Sequence, residues 1–343
     1  MRIFGAVLGA VSAAALAQTA PLVVTPDNFR RAETDTYFAT FAKRGGFGKF
    51  HHLRDLPLEG TGVRPNRDTL YSQAVFDLDA GPVTITTPDP GKRFMSLMIV
   101  DQDHYARDVF YGKGARTLDR RRIGTRYVFA ALRTLVDPES ADDLQQARAL
   151  QDATTVSQKA PGKLELPAWD PVSHKKVRDA LLALSATLPD LRKAFGRRDQ
   201  VDPVRHLIGT AAAWGGNPDK DALYLNVTPG VNDGRTVYRL TVPASVPVDA
   251  FWSVTVYDAA GHFRKNSLGA YSLNSITARK SAEGTVTIQF GGCNDRAPNC
   301  LPTMDGWNYM VRLYRPRSEV LEGKWQFPAA VQRGDGLGRG LRG

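Results

Sequence analysis

The sequence has few of the residues, and none of the motifs, that mark the common enzyme classes. Its 343 residues include two cysteines and six histidines. It contains no Gly-x-Ser-x-Gly elbow, no His-Glu-x-x-His zinc motif, no Cys-x-x-Cys pair and no Gly-x-x-x-x-Gly-Lys phosphate loop. A metal-binding jelly roll would need clustered histidines, and the strand-rich C-terminal part offers His262 alone. We therefore expect no metal site and no cofactor.

The sequence also lacks an apolar run long enough to cross a membrane. Residues 3–16 are uncharged and largely apolar, about 14 residues where roughly 20 are needed for a spanning helix. Arg2 precedes this run, and Ala15-Leu16-Ala17 follows it as a small-x-small cleavage pattern before Gln18. These features predict a signal peptide at residues 1–17, export to the periplasm or the medium, and no transmembrane span.

The composition is that of a basic globular protein. Apolar residues make up 42% and charged residues 23%, and the formal charge is +10. The roughly 325 residues that remain after cleavage suffice for two domains, or for one large domain with an insert. For an exported chain this charge favours an anionic small molecule or anionic envelope material over nucleic acid. A basic surface with no specific anion fits the composition equally well, and the oligomeric state is left open.

Hydrophobic periodicity predicts a mainly β fold with a helical insert: an N-terminal β-sandwich, a helical segment and a C-terminal antiparallel jelly-roll sandwich. Residues 93–100 and 126–136 are nearly continuous apolar runs, as expected of central strands. Helices are expected at residues 28–43 and after capping residues Ser140, Asp170 and Asp202. The expected boundaries are 18–136 for the first sandwich, 137–220 for the helical segment, 221–331 for the jelly roll and 332–343 for a flexible tail.

The two cysteines fit an oxidising compartment. Cys293 and Cys300 flank a segment that contains a proline, two asparagines and an aspartate, as in a loop closed at its base. Since no histidine lies nearby to complete a metal site, we expect a Cys293–Cys300 disulfide.

Several motifs resemble a known pair of modules. Residues 66–72 (NRDTLYS), 77–82 (DLDAGP) and 93–101 are similar to the N-terminal module called domain of unknown function 1254. Residues 251–258 (FWSVTVYD) and 312–316 (RLYRP) are similar to its companion, domain of unknown function 1214, as are Asn266 and the GKW of residues 323–325. Phe94 stands where many relatives have tyrosine. The resemblance implies a β-sandwich, a helical insert and a C-terminal jelly roll, and it implies no particular reaction.

The densest polar motif is Asn66, Arg67, Asp68 and Tyr71. In one interpretation it is a ligand site, where Arg67 holds an anion that Asn66 and Asp68 orient. In the other, which we favour, it is a buried turn in which the two short polar side chains bond to backbone and Arg67 pairs with an acid.

Two further polar segments could contribute to a site. Asp101, Asp103, His104 and Tyr105 follow a central strand, where an Asp/His pair could act as acid and base, although a solvated loop is the simpler interpretation. We expect this loop and the Asn66–Tyr71 stretch to line one cleft.

The helix that follows Asp202 brings Arg205 and His206 into its first turn. They could face a cleft, or Arg205 could pair with an acid while His206 bonds within the core. Tyr257 and Trp307 are expected to be open enough to stack on a sugar ring, whereas Trp252 shares a face with core residues.

Two classes of function remain after these observations. The first, which we favour, is a binding module that holds a polar or anionic small molecule, or a glycan, in a cleft between the modules. The second is an envelope or extracellular hydrolase or lyase that uses Asp, His and Arg side chains in the same cleft.

Overall fold

The computed structural model describes residues 20–58, 63–294 and 297–333. The expected signal peptide lies outside these residues, as does most of the expected tail.

The N-terminal part is a sandwich of a five-stranded and a three-stranded sheet, as predicted. Its strands are β1 (His51–His52), β2 (Thr69–Asp77), β3 (Val83–Thr87), β4 (Met95–Asp101), β5 (Ala106–Tyr111), β6 (Gly114–Leu118), β7 (Tyr127–Leu135) and β8 (Thr155–Gln158). The larger sheet has the order β1-β2-β7-β4-β5 and the smaller one β6-β3-β8. Their facing sides bury Phe76, Ile85, Leu97 and Leu132. Because side chains alternate along a strand, the other face of the larger sheet is free to contact the rest of the molecule.

Four of the six helices in the described residues begin at a residue whose side chain accepts a hydrogen bond from the first turn. The six are α1 (Phe29–Lys43), α2 (Arg120–Ile123), α3 (Ala141–Asp152), α4 (Pro171–Ser185), α5 (Pro203–Ala212) and α6 (Ser318–Leu321), and α1 and α6 do not begin at such a residue. Ser140 accepts from the N–H of Asp143, Asp170 from that of Ser173, and Asp202 from that of Arg205. These three caps confirm the predicted helix starts. Helices α1, α4 and α5 pack together, and α1 also lies against β2.

The C-terminal part is a sandwich of two four-stranded sheets. Its strands are β9 (Ala222–Val227), β10 (Tyr238–Val242), β11 (Trp252–Tyr257), β12 (Ser272–Asn274), β13 (Val286–Phe290), β14 (Cys300–Leu301), β15 (Asn308–Tyr314) and β16 (Val331–Gln332). The orders β12-β11-β15-β9 and β14-β13-β10-β16 are those of a jelly roll that carries β14 as a short extra strand parallel to β13. The predicted mainly β architecture is therefore confirmed.

Two details concern the end of the chain. Cys293 and Cys300 are joined by a disulfide, with Cα atoms 5.7 Å apart, as expected. Gln332 was expected to begin a flexible tail. It lies instead in strand β16 and pairs there with Tyr238 of β10. Strand β16 forms because its backbone pairs with the free edge of β10. The low apolar content of residues 332–343, from which the tail was predicted, does not reveal such pairing.

Candidate functional site

The two sandwiches meet through the outward faces of β2, β7 and β4 on one side and of β11, β15 and β9 on the other. Apolar side chains of both modules pack together along part of this contact, among them Leu135, Phe251 and Tyr314. The rest of the contact is polar. We call its polar part the intermodule cluster: Asn66, Asp68, Tyr71, Arg133, Tyr224, Arg312 and Tyr314.

Arg133 is the central residue of the N-terminal half of the cluster. On β7 it lies between Tyr71 of β2 and Ser96 of β4 in the sheet register. Its side chain is 6% exposed. The Nη2 atom donates to the carbonyl of Gly215 at 3.1 Å, whereas Nη1 has no hydrogen-bond partner among the described residues. The charge of Arg133 and a side-chain hydrogen bond also act on Tyr71, so Nη1 lacks a well-aligned acceptor but does not lack a polar neighbour.

Arg312 is the corresponding residue of the C-terminal half, and its hydrogen bonding is complete by contrast. It is 3% exposed. Its Nη1 donates to the hydroxyl of Thr255 at 2.9 Å, and its Nη2 donates to the hydroxyl of Tyr257 at 2.6 Å and to the carbonyl of Arg64 at 3.1 Å. Arg312 therefore ties β15 to the chain segment that leads into β2.

Asn66 links the two modules through a single amide group. Its Nδ2 donates to the hydroxyl of Tyr71 at 3.1 Å and to that of Tyr314 at 3.0 Å, and it lies 3.4 Å from Thr69 Oγ1. Its Oδ1 accepts from the N–H of Asp68 at 2.8 Å, which forms the local turn. The predicted local turn is therefore present, and the amide nitrogen of Asn66 faces the cluster, while the ligand-site interpretation stays a prediction.

Asp68 is the only carboxylate of the cluster as defined. It is 1% exposed, and its Oδ2 accepts from the Ser253 hydroxyl at 2.6 Å while Oδ1 has no partner among the described residues. Burial raises the pKa of Asp68 above its ordinary value, although the charge of Arg312 and the Ser253 hydroxyl act against the rise. With two guanidinium groups against one carboxylate, the cluster carries a net positive charge.

The turn interpretation required Arg67 to pair with an acid, but the structure shows no such pair among the described residues. Its Nη1 donates to the carbonyl of Pro57 at 2.7 Å, and its guanidinium lies 5.0 Å from the centre of the Tyr271 ring. No carboxylate lies within ion-pair distance of it in the part of the chain that the structure describes. Arg67 holds the loop before β2 against the C-terminal module instead.

The Asp101 loop and the Asn66–Tyr71 stretch do not converge, and the expectation of one shared cleft was wrong. Strands β2 and β4 are both antiparallel to β7 and so run in the same direction. The polar motif precedes β2, whereas the loop follows β4. Asp101 is level with Val128 of β7 and Thr69 is level with Leu135, seven residues along the same strand. At about 3.3 Å per residue, the two segments lie roughly 23 Å apart.

The Asp101 loop is also not solvated. Asp101, His104 and Tyr105 are 3%, 3% and 6% exposed. The Nε2 atom of His104 accepts from the N–H of Gly215 at 2.8 Å, and its Nδ1 lies 2.9 Å from the Thr210 hydroxyl. Burial lowers the pKa of His104 well below its ordinary value, so the ring is neutral. Helix α5 and the turn after it cover this loop and exclude solvent from it. The hydrophobic periodicity of the sequence does not reveal this packing.

Asp103, Arg205 and His206 have structural partners next to this loop. Asp103 forms an ion pair with Arg31 at 2.7 Å. Arg205 pairs with Asp190 at 3.2 Å, and Nδ1 of the fully buried His206 bonds to the carbonyl of Ala194 at 2.8 Å. Arg205 and His206 therefore adopt the arrangement expected if they do not face a cleft: an ion pair for Arg205 and a hydrogen bond within the core for His206.

The aromatic residues that were expected to be open are buried. Tyr257 and Trp307 are both 0% exposed, so neither can stack on a sugar ring in this arrangement. Tyr257 points outward from β11 and is covered by the N-terminal module, to which it donates a hydrogen bond at the carbonyl of Pro65. Trp307 lies in the jelly-roll core between Phe290 and Tyr238. Trp252 is in the same core, as predicted.

Sequence reasoning missed three members of the region, Arg133, Tyr224 and Arg312, and considered Tyr314 only as an aromatic residue that could stack on a sugar ring. The signal was available, because Arg133 and Arg312 each interrupt an otherwise apolar strand. A charged residue inside a fully buried strand requires an explanation.

Neither a metal site nor a membrane helix is found in residues 20–58, 63–294 and 297–333. No group of three or more His, Cys, Asp or Glu side chains there is placed to hold a metal ion. Over the same residues, no helix combines the length and the apolar character that a bilayer crossing requires.

Comparison with known proteins gives a fold and a family description without a reaction. The chain is similar to the VPA0106 protein of Vibrio parahaemolyticus, with 18% identity and a TM-score of 0.70 over 90% of this chain and 97% of that one. It also aligns with an uncharacterized protein from Burkholderia cenocepacia, with 12% identity and a TM-score of 0.48 over 89% of this chain and 86% of that one. No curated protein gives a significant match. Residues 47–117 match the model described as protein of unknown function DUF1254, and residues 228–318 match protein of unknown function DUF1214. The chain therefore carries both modules of the pair, DUF1254 followed by DUF1214, as the sequence motifs indicated.

Proposed function

We propose that this protein binds an anionic small molecule at the intermodule cluster. The carrying observation is the Nη1 group of Arg133, a buried charged donor without a partner among the described residues. Keeping a buried cation without a carboxylate partner costs free energy of folding, and ligand sites are where proteins retain such groups. An anion bound there would supply both the charge and the acceptor.

The surroundings of Arg133 support an anionic rather than a cationic ligand. Two buried guanidinium groups are present with one carboxylate, and Asn66 donates to the hydroxyls of Tyr71 and Tyr314, which orients both of them. Preorganised donors in a region of low dielectric bind an anion more strongly than the same groups would in water.

Access to the cluster is from its edge. Asn66 and Tyr71 are only partly buried, unlike Arg133 beside them. A second approach passes Asn217 and Tyr224, which line a surface pocket and share a hydrogen bond of 2.8 Å. The ligand is proposed to reach Arg133 from these sides, with small movements of the two modules.

The other candidate ligands and activities receive less support. A neutral glycan would need exposed aromatic faces, and Tyr257 and Trp307 are buried. A hydrolase or lyase built on Asp101 and His104 would need them in the cleft, but Asp101 is level with Val128 of β7, five residues along that strand from Arg133.

A thermal-shift comparison tests the proposal. The mature protein would be heated at constant ionic strength with acetate, succinate, citrate, phosphate or galacturonate, and with uncharged galactose. At least one anion should raise the unfolding temperature; a ligand at 100 times its Kd adds about 2.7 kcal/mol to the unfolding free energy. The shift should disappear in Arg133→Met.

A matched control uses Arg126→Met, which removes a guanidinium that pairs with Asp77 at the opposite end of β2. That variant should keep the anion-induced shift. If no anion shifts the wild type, or if Arg133→Met responds as the wild type does, the proposed function is wrong. A response to galactose equal to that to galacturonate would indicate a glycan site instead.

We also propose that the protein is exported, on the basis of the apolar run and cleavage pattern at residues 1–17. Its location decides which anions it meets, and the mass of the recovered protein tests it as described below.

A further inference from the structure

Tyr71 contributes its hydroxyl to the cluster, and the hydroxyl oxygen is surrounded by donors. Asn66 Nδ2 donates to this oxygen at 3.1 Å. The Arg133 guanidinium lies 5.3 Å from the centre of the same ring. No described residue accepts a hydrogen bond from the Tyr71 O–H. The hydroxyl proton therefore points to an acceptor that the described protein does not supply.

The charged and titratable groups that face Tyr71 come from three strands and the preceding turn. Arg133 lies on β7, Arg312 and Tyr314 on β15, Tyr224 on β9, and Asp68 in the turn before β2. Burial alone would raise the pKa of Tyr71, but the charge of Arg133 and the hydrogen bond from Asn66 outweigh it, so the pKa lies below its ordinary value. Burial and Asp68 raise the pKa of Tyr314, which therefore stays protonated.

The Arg133 guanidinium, which also acts as a hydrogen-bond donor toward the Tyr71 oxygen, thus lies beside the Tyr71 O–H, and Nη1 of Arg133 has no other partner among the described residues. Arg133 and Tyr71 are cross-strand neighbours in the β2–β7 register. Two adjacent donors match the two oxygens of one planar carboxylate. The excess of one positive charge, two arginines against Asp68, also matches a monoanionic group better than a phosphate dianion, whose remaining oxygens would be buried without donors.

We infer that the site takes a carboxylate, bound between Nη1 of Arg133 and the O–H of Tyr71, and that binding requires Tyr71 to keep its proton. This rests on the proposed function and names its ligand class and its pH dependence. An ionised Tyr71 loses its donor, repels the carboxylate and pairs with Arg133 itself. Affinity is therefore constant below the pKa of Tyr71 and falls about tenfold per pH unit above it.

Calorimetric titration with acetate and succinate, with phosphate as the comparison anion, tests this inference. Each titration would be repeated over a pH series and in two buffers of different ionisation enthalpy, which reports the proton taken up with the ligand. Tyr71→Phe should weaken carboxylate binding about 10- to 100-fold at neutral pH, as expected for one hydrogen bond to a charged group. Binding to this variant should no longer depend on pH over the range where the wild type does.

The matched control is Tyr238→Phe. The Tyr238 hydroxyl also accepts two hydrogen bonds, from the N–H of Val231 and from Gln332, but it lies in the C-terminal sheet outside the cluster. The Tyr238→Phe variant should bind carboxylate with the affinity and the pH profile of the wild type. Circular dichroism of all variants would confirm that they are folded.

The outcomes separate this inference from the proposed function. If the wild type and Tyr71→Phe share one pH profile, or if phosphate binds and carboxylates do not, the inference is overturned while anion binding stands. If none of the three anions binds the wild type, the proposed function itself fails. Proton uptake that disappears in Tyr71→Phe and persists in Tyr238→Phe supports the inference.

Discussion

The same substitution at two equally buried arginines should have different effects on stability. Arg133 and Arg312 are 6% and 3% exposed, and the charges of both act on Tyr71. Arg133→Met removes a buried charge that has no carboxylate partner, and it leaves the Gly215 carbonyl without its donor and Tyr71 without the guanidinium beside it. Replacing a poorly compensated buried charge with an apolar side chain of similar size is often neutral or stabilising by about 1–4 kcal/mol. With about 1 kcal/mol lost at Gly215, the change in the unfolding free energy should lie between a loss of about 1 kcal/mol and a gain of about 3 kcal/mol.

Arg312→Met should be strongly destabilising. It leaves the hydroxyls of Thr255 and Tyr257 and the carbonyl of Arg64 without their donor, and it leaves Asp68 buried without a cation. Breaking such a buried network typically costs about 3–5 kcal/mol. Urea unfolding followed by circular dichroism, without added anions, measures both variants, and similar slopes would show that the unfolded states are comparable. If Arg133→Met loses as much stability as Arg312→Met, Arg133 is a structural residue and the reasoning about its free donor is refuted.

Three further predictions concern groups outside the cluster. Burial raises the pKa of Asp101 to about 6, so the folded protein favours the protonated carboxyl and this contribution is lost as the pH rises through that value. The unfolding free energy of Asp101→Asn should therefore rise relative to that of the wild type by about 2–3 kcal/mol between acidic and neutral pH. Equal urea midpoints for the two proteins at both pH values would contradict this. Replacing Cys293 and Cys300 with serine should lower the unfolding free energy by about 2–3 kcal/mol, and alkylation of the unreduced native protein should find no free thiol; two modified cysteines would show that the disulfide is absent. The intact mass of the protein recovered from the periplasm or medium should correspond to a chain that starts at Gln18, whereas a mass that includes the whole leader would overturn the proposed export.

Much of the fold could be predicted because its signals are local. Strand alternation identified β10 and β11, and side-chain caps such as Ser140 identified the helix starts. The short strands were missed where the pairing is decided by a distant partner. Residues 155–158 read as part of the helical segment but complete the smaller N-terminal sheet by pairing with β3.

The candidate site was predictable only in its local part. Asn66, Asp68 and Tyr71 were found because they stand together in the sequence. Arg133 and Arg312 were not, since each is the only charged residue in its own strand and meets the other members only through contacts between strands and between sheets. The Asp101 loop was misplaced for a related reason: the strand order, with β7 between β2 and β4, puts it at the opposite end of the sheet. Strand order depends on long-range pairing that periodicity does not contain.

The most direct test of the proposed site is a crystal structure of the mature protein with the anion that gives the largest thermal shift. The anion should lie between the two modules, with one of its oxygens within hydrogen-bond distance of Nη1 of Arg133 and without displacing the Arg312 network. An anion bound elsewhere, with the Arg133 guanidinium still unpartnered or bonded to another protein group, would contradict the account.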